Sequence, residues 1–190
     1  MLDRWLEALV ATPGLTAIDD LEEARRALLD DSLRGVGAVS SFDGPIVDVG
    51  SGGGVPGIPL AVSLPEREVT LLEANGRKCD FLREWAPPNA RVVRGRAEEQ
   101  DTDVFGVAVA KAVAPPPVAA EWCLALVREG GAAVLWVGPT ADVERVARAA
   151  EQVGGELSGE HAGLLVLRKL RRTPDGFPRR AGVARKRPLA

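Results

Sequence analysis

The chain has 190 residues, enough for one domain with a sheet covered on both faces but too few for a second full core. No run of eighteen apolar residues exists, and Met1-Leu2-Asp3-Arg4-Trp5 lacks the pattern of an export signal, so a cytoplasmic protein with no membrane contact is expected. Net charge is only −3 but unevenly spread: residues 168–190 carry nine bases against the single acid Asp175, a tail of +8 on a body of −11, which points to a polyanion partner. Cys79 and Cys123 each stand alone within a predicted helix, which suggests buried filler rather than a disulfide or metal site.

In chain order, Leu2, Trp5, Leu6, Leu9 and Val10 recur at helical intervals over 2–11. Leu21, Ala24, Leu28 and Leu29 do so over 19–34, with Asp19 or Asp20 placed to cap the start. Residues 46–49 read as a strand ending in a glycine loop, and 58–62 as the start of a helix whose prolines fall in or near its tolerant first turn. The alternation continues with strands at 68–73 and 91–94 around a helix at 76–86. Strands at 104–109 and 131–137 enclose a helix near 118–127. Alternating strands and helices imply a parallel sheet with right-handed crossovers. After a helix near 141–153, the strands at 156–158 and 163–170 are too close for a crossover, so they should pair as an antiparallel hairpin at the sheet edge.

The loop Asp48-Val49-Gly50-Ser51-Gly52-Gly53-Gly54-Val55-Pro56-Gly57 holds five glycines within eight residues. Glycine lets a backbone turn tightly and approach a ligand, and the helix behind offers free N–H groups. Residues 52–57 also satisfy G-x-G-x-x-G, a weak dinucleotide signal when taken alone. Asp48 is placed to serve the cationic methionine end of S-adenosylmethionine, directly or through water, whereas beside a pyrophosphate it would repel. Glu73 at the tip of the second strand suits ribose hydroxyls in either cofactor class. Gly95-Arg96-Ala97-Glu98-Glu99 suits adenine recognition, with Glu98 near the ring. Together with the terminal hairpin, these features favour a Rossmann-like class I methyltransferase fold: a mostly parallel seven-stranded sheet with an antiparallel edge hairpin, preceded by helices.

The target chemistry is narrowed by what is missing. Methylation at cytosine C5 needs a cysteine nucleophile, and neither cysteine falls at a strand end. Methylation of adenine's exocyclic amine usually needs an Asp or Asn before Pro-Pro and an aromatic; Val113-Ala114-Pro115-Pro116-Pro117-Val118 has neither. Guanine N7 needs no general base because its lone pair is already nucleophilic, so positioning and electrostatics suffice. His161 beside the predicted hairpin reads as a surface residue.

The chain resembles the RsmG or GidB family of bacterial small-subunit ribosomal RNA guanine-N7 methyltransferases. The resemblance is most specific in residues 48–60 and continues through 71–78, Phe81-Leu82-Arg83, 95–99, 165–169 and Phe177-Pro178-Arg179-Arg180; Leu15-Thr16-Ala17-Ile18 and residues 28–33 share it at the front, where the chain carries less helix than family members often do. It implies methylation of a guanine of the 527 type in the 530 loop of 16S rRNA, with S-adenosylmethionine as methyl donor and no metal. The family's cofactor positions fall on Gly50, Val55, Ala97, Glu98 and Lys111, to which the residue reading adds Asp48, Gly52 and Glu73. Lys111 stands where the family has arginine and is a contributor to positioning; Val137 replaces a lysine and Ala27 a histidine. Arg168, Lys169, Arg171, Arg172, Arg179, Arg180, Arg185, Lys186 and Arg187 become the expected contacts to 16S rRNA or a small-subunit particle. The implied division is a helical extension at 1–40, a methyltransferase domain at 41–170 and a basic tail at 171–190. The competing readings are an RNA-binding protein that keeps the fold without turnover, and a nicotinamide oxidoreductase resting on G-x-G-x-x-G and Glu73.

Overall fold

The computed structural model describes residues 1–190. Helix α1 (Leu2–Ala11) buries Trp5, Leu6 and Leu9 on one face, and the Trp5 indole N–H donates to the Gly53 carbonyl at 2.9 Å. Helix α2 (Leu21–Ala24) starts where Asp20, not Asp19, accepts a hydrogen bond from the Glu23 amide. The single helix expected over 19–34 instead widens into a π-helical turn at Arg25–Asp30 before α3 (Asp31–Leu33). The widening accompanies a side chain reaching into the backbone ladder: the Lys111 ammonium donates to the Ala27 carbonyl at 2.6 Å. A further short helix, α4 (Val36–Ser40), lies where no element is predicted.

The sheet contains β1 (Ile46–Val49), β2 (Val69–Glu73), β3 (Ala90–Arg94), β4 (Phe105–Lys111), β5 (Val127–Trp136), β6 (Gly155–His161) and β7 (Leu164–Lys169). Their order is β3-β2-β1-β4-β5-β7-β6. Strands β1 to β5 pair in parallel, and β7 pairs antiparallel with both β5 and β6. The hairpin expected at the edge is therefore present, with β6 outermost and β7 inserted beside β5. Its two-residue turn has positive φ at Ala162 (47°) and Gly163 (80°), the backbone that matches the right-handed twist of the flanking strands. Strand β5 begins earlier than the sequence suggests because a register shift between Phe105 and Val107 lets Val127 pair before the glycine pair Gly130-Gly131.

Helices α5 (Gly57–Ser63) and α6 (Gly76–Trp85) cover one face with α1, and α7 (Pro116–Leu126) and α8 (Val143–Gln152) cover the other. Strands β1 and β2 are buried at every position, as continuous apolar runs in a two-sided sheet require. Helix α7 is buried from Pro117 to Leu126, including Glu121, because residues 171–190, with a short helix α9 (Val183–Lys186), fold back over it. No helix is long and apolar enough to cross a membrane.

Candidate functional site

The chemistry-bearing residues converge at the carboxyl ends of β1, β2 and β4, where an open parallel sheet offers its crevice. As the chain leaves β1, the Gly50 and Ser51 amides donate to the Leu72 carbonyl at 2.8 and 3.1 Å, holding the loop to β2. Gly50 has φ of +73°, and a Cβ there would fall 2.1 Å from a Val113 methyl. Only glycine fits that crossing. Glu73 is pinned by two backbone donors, Gly52 N to Oε2 at 2.9 Å and Asn75 N to Oε1 at 2.7 Å. Its carboxylate is thereby fixed on the wall of a cavity of about 420 Å³.

That volume is of the size a small cofactor occupies. Gly50, Gly52, Val55, Glu73, Ala97, Glu98 and Lys111 all line it, so the structure brings together seven of the eight residues expected to hold the cofactor. Asp48 is the exception and corrects the expectation of a ligand contact. It is fully buried behind the loop, where Oδ2 accepts from the Gly57 amide at 3.0 Å and Oδ1 has no partner. The Gly57 N–H captures the carboxylate where the loop turns into α5, and a Cβ at Gly57 would lie 2.5 Å from it. Burial pushes the Asp48 carboxyl up to about 7, with the hydrogen bond from the Gly57 amide working the other way.

Glu98 sits in a 3-10 turn (Ala97–Glu99) after β3, and its Oε1 accepts from the Gly182 amide at 3.1 Å. It therefore faces the C-terminal segment as well as the cavity. Lys111 lines the cavity, but its ammonium is committed to Asp31 at 2.5 Å and to the Ala27 carbonyl. Positions 27 and 111, which the resemblance singles out as departures, thus touch each other. Val137 lies outside the cavity and packs against the α7 and α8 core. His161 is exposed at the end of β6. Both cysteines are buried away from the cavity, and burial raises both thiols, so neither is a nucleophile there.

Among the nine basic residues of residues 168–190, Arg168, Arg171, Arg172, Arg180, Arg185, Lys186 and Arg187 are exposed. Lys169 is a correction: it is 1% exposed and donates to the Leu124 carbonyl and the Thr173 hydroxyl, with Asp103 at 3.3 Å. Its position in β7 alternates inward, and burial holds its ammonium below the usual lysine range while Asp103 opposes the shift. Arg179 is also turned inward, forked onto Glu121, which raises its guanidinium. Arg185 lies over the Trp122 ring, 5.3 Å from its centroid, and donates to the Val113 carbonyl at 2.8 Å.

Trp122 and Arg185 also form cavity wall without being expected there, as do Leu9, Leu15, Thr16 and Leu28, by which the front helices and the turn between them cover it. A solitary aromatic on α7 is the only local signal for Trp122. Nothing local marks the others.

A family model described as rRNA small subunit methyltransferase G (GidB) matches residues 3–157. A ribosomal RNA small subunit methyltransferase G of Rubrobacter xylanophilus is 37% identical over 201 residues, covering 93% of this chain and 74% of that protein. The protein of the same name from Pelotomaculum thermopropionicum is 38% identical, covering 93% of this chain and 83% of its own length. Among solved structures, a SAM-dependent O-methyltransferase from Thermotoga maritima superposes with a TM-score of 0.59 at 18% identity, over 85% of this chain and 74% of that one. A Thermus thermophilus 16S rRNA N2 G1207 methyltransferase, solved with AdoMet and guanosine, gives 0.54 at 17% identity, over 70% and 37%. These two likenesses establish the fold. The chain belongs to the rRNA small subunit methyltransferase G (GidB) family, S-adenosylmethionine-dependent methyltransferases of small-subunit ribosomal RNA.

Proposed function

We propose that the chain methylates N7 of a guanine in 16S rRNA, of the 527 type in the 530 loop, in a small-subunit particle or on exposed RNA. The carrying observation is a cofactor-sized cavity at the strand ends whose wall holds Glu73 and Glu98 but no cysteine or histidine. Such a wall offers no covalent nucleophile and commits both carboxylates to the cofactor, which suits an acceptor that needs neither a nucleophile nor a base. S-adenosylmethionine supplies an electrophilic methyl on a sulfonium.

The Gly50–Gly53 backbone and Val55 would shape the cofactor's bed, Glu73 would accept from ribose hydroxyls, and the Ala97–Glu98 turn would take the adenine. Bound there, the cofactor would offer that methyl to the guanine ring nitrogen, whose lone pair is already available, so no side chain would have to remove a proton. Orientation and exclusion of water are then the protein's main contributions. Lys111, held by Asp31, would fix the cavity wall at the end of β4. Residues 1–40 act as a helical cover, 41–170 as the transfer domain, and 171–190 as an RNA contact segment. In that segment Arg180, Lys186 and Arg187, together with Arg168, Arg171 and Arg172, neutralise phosphates without reading bases.

Purified protein incubated with methyl-labelled S-adenosylmethionine and unmodified small subunits tests the reading. Label recovered as 7-methylguanosine supports it. Label in another nucleoside overturns the choice of base. Tight cofactor binding without transfer would instead favour the RNA-binding reading, which the engagement of Lys111 by Asp31 and Ala27 motivates.

A further inference from the structure

The C-terminal segment is built into the domain. Ala184 is fully buried, Arg179 is forked onto the buried Glu121, and the Gly182 amide donates to Glu98 at 3.1 Å. Near its end, Gln152 donates to the Leu189 carbonyl at 3.1 Å, and Arg145 to that of Ala190. These ties fix α9 so that Arg185 points at the cavity. Its guanidinium stands over Trp122 and donates to the Val113 carbonyl, and all three residues line the cavity.

Val113 is also the residue that packs where a side chain on Gly50 would have to go. The residue before it, Ala112, has φ of +54°, an unusual conformation for a residue with a Cβ, which its surroundings must maintain. A chain of contacts therefore runs from the C-terminal segment through Arg185 to the turn after β4 and on to the glycine loop.

Building on the cofactor cavity read above, we infer that Arg185 is a positioning residue of the methyl-transfer site: clamped between Trp122 and the Val113 carbonyl, it holds the 111–115 turn against Gly50. The same residue on an undocked basic tail would serve only as one more phosphate contact. Here its stacked face and one donor are spent on the cavity wall. The consequence is that the cofactor's binding surface depends on a C-terminal segment whose neighbours Arg180, Lys186 and Arg187 face outward.

Calorimetry with S-adenosylhomocysteine on the full chain tests this, because it reads the cavity whichever base accepts the methyl group. Loss of a cation–π contact and one hydrogen bond is expected to weaken binding by about tenfold in Arg185→Ala. Arg185→Lys, which keeps a charge over the ring and a donor, recovers most of the loss. Lys186→Ala, which removes the same charge from a residue outside the cavity, stays within about twofold of the parent. Equal, near-parental affinities in Arg185→Ala and Lys186→Ala overturn the proposal. If Arg185→Ala also lowers ligand-free melting, Trp122→Phe must still weaken binding through its poorer cation–π face, and unchanged affinity there overturns it. Failure of the parent chain to bind S-adenosylhomocysteine sinks the cofactor reading itself, a result distinct from binding that is insensitive to Arg185.

Discussion

Lys111, at the end of β4, reaches across to Asp31 in the helical region ahead of the sheet and closes an ion pair of 2.5 Å. Neither side chain is more than a quarter exposed, at 16% and 24%. The Trp136 indole N–H donates to the Asp31 carbonyl at 2.8 Å, so Asp31 is held from both β4 and β5. The pair fastens the front helices over the cavity.

Removing one partner should therefore leave a half-buried ammonium with only the Ala27 carbonyl. Asp31→Ala, which also removes the more exposed Arg34 ion pair, is expected to destabilise the fold by about 2 kcal/mol, within the range for a lost charge-assisted hydrogen bond. It should also weaken S-adenosylhomocysteine binding, because Leu28 and Thr16 on that cover line the cavity. Urea unfolding and calorimetry check the two effects. A loss of stability with unchanged affinity would detach the cover from the site.

The Trp5 indole offers a second handle on the same loop, through its bond to the Gly53 carbonyl. Trp5→Phe keeps most of the buried volume but leaves that carbonyl without its donor. A cost of about 1–3 kcal/mol is expected by urea unfolding, from the unpaired acceptor and the smaller ring. A cost below about 0.5 kcal/mol would mean the loop holds its shape without α1.

Asp48 makes stability depend on pH in a definite direction. Its folded pKa, about 7, lies above the ordinary 3.8, so the folded state binds the proton more tightly than the unfolded chain does. That preference contributes fully below about 4 and fades as pH rises to 7. Asp48→Asn, neutral at every pH, should gain stability relative to the parent between pH 5 and 8, measured by urea unfolding. Parallel curves would show that the Asp48 carboxyl is not held neutral in the fold.

Lys169 and Arg187 separate a buried cation from a proposed RNA contact. Lys169→Met strands the Asp103 carboxylate, though Thr173 still donates to it through both N and Oγ1. Destabilisation of about 3 kcal/mol is expected, with the salt dependence of RNA binding unchanged. Arg187→Ala should do the reverse, leaving stability alone and lowering the salt slope by about one. Equal salt slopes in the two variants would contradict this division.

Much of the fold is legible in the sequence because parallel strands buried on both faces read as short apolar runs. Ile46–Val49 and Val69–Glu73 are of this kind, and the glycines after the first strand mark the turn. The hairpin follows from the short spacing between β6 and β7. Four outcomes are set by tertiary contacts that local patterns do not carry. The Lys111 ammonium drawing off the Ala27 carbonyl accompanies the π turn, and the Gly57 amide turns Asp48 away from the cavity. The Leu124 carbonyl, the Thr173 hydroxyl and Asp103 hold Lys169 inside, in the midst of basic neighbours. Arg185 looks like any tail arginine until α9 docks beside Trp122.

The most direct measurement compares 16S rRNA nucleosides by mass spectrometry from a strain lacking this protein, its parent, and the deletion strain carrying the chain on a plasmid. The 7-methylguanosine of the 530-loop fragment should vanish in the deletion strain and return with the plasmid. Its persistence in the deletion strain would contradict the assignment of guanine N7 in that loop as the target.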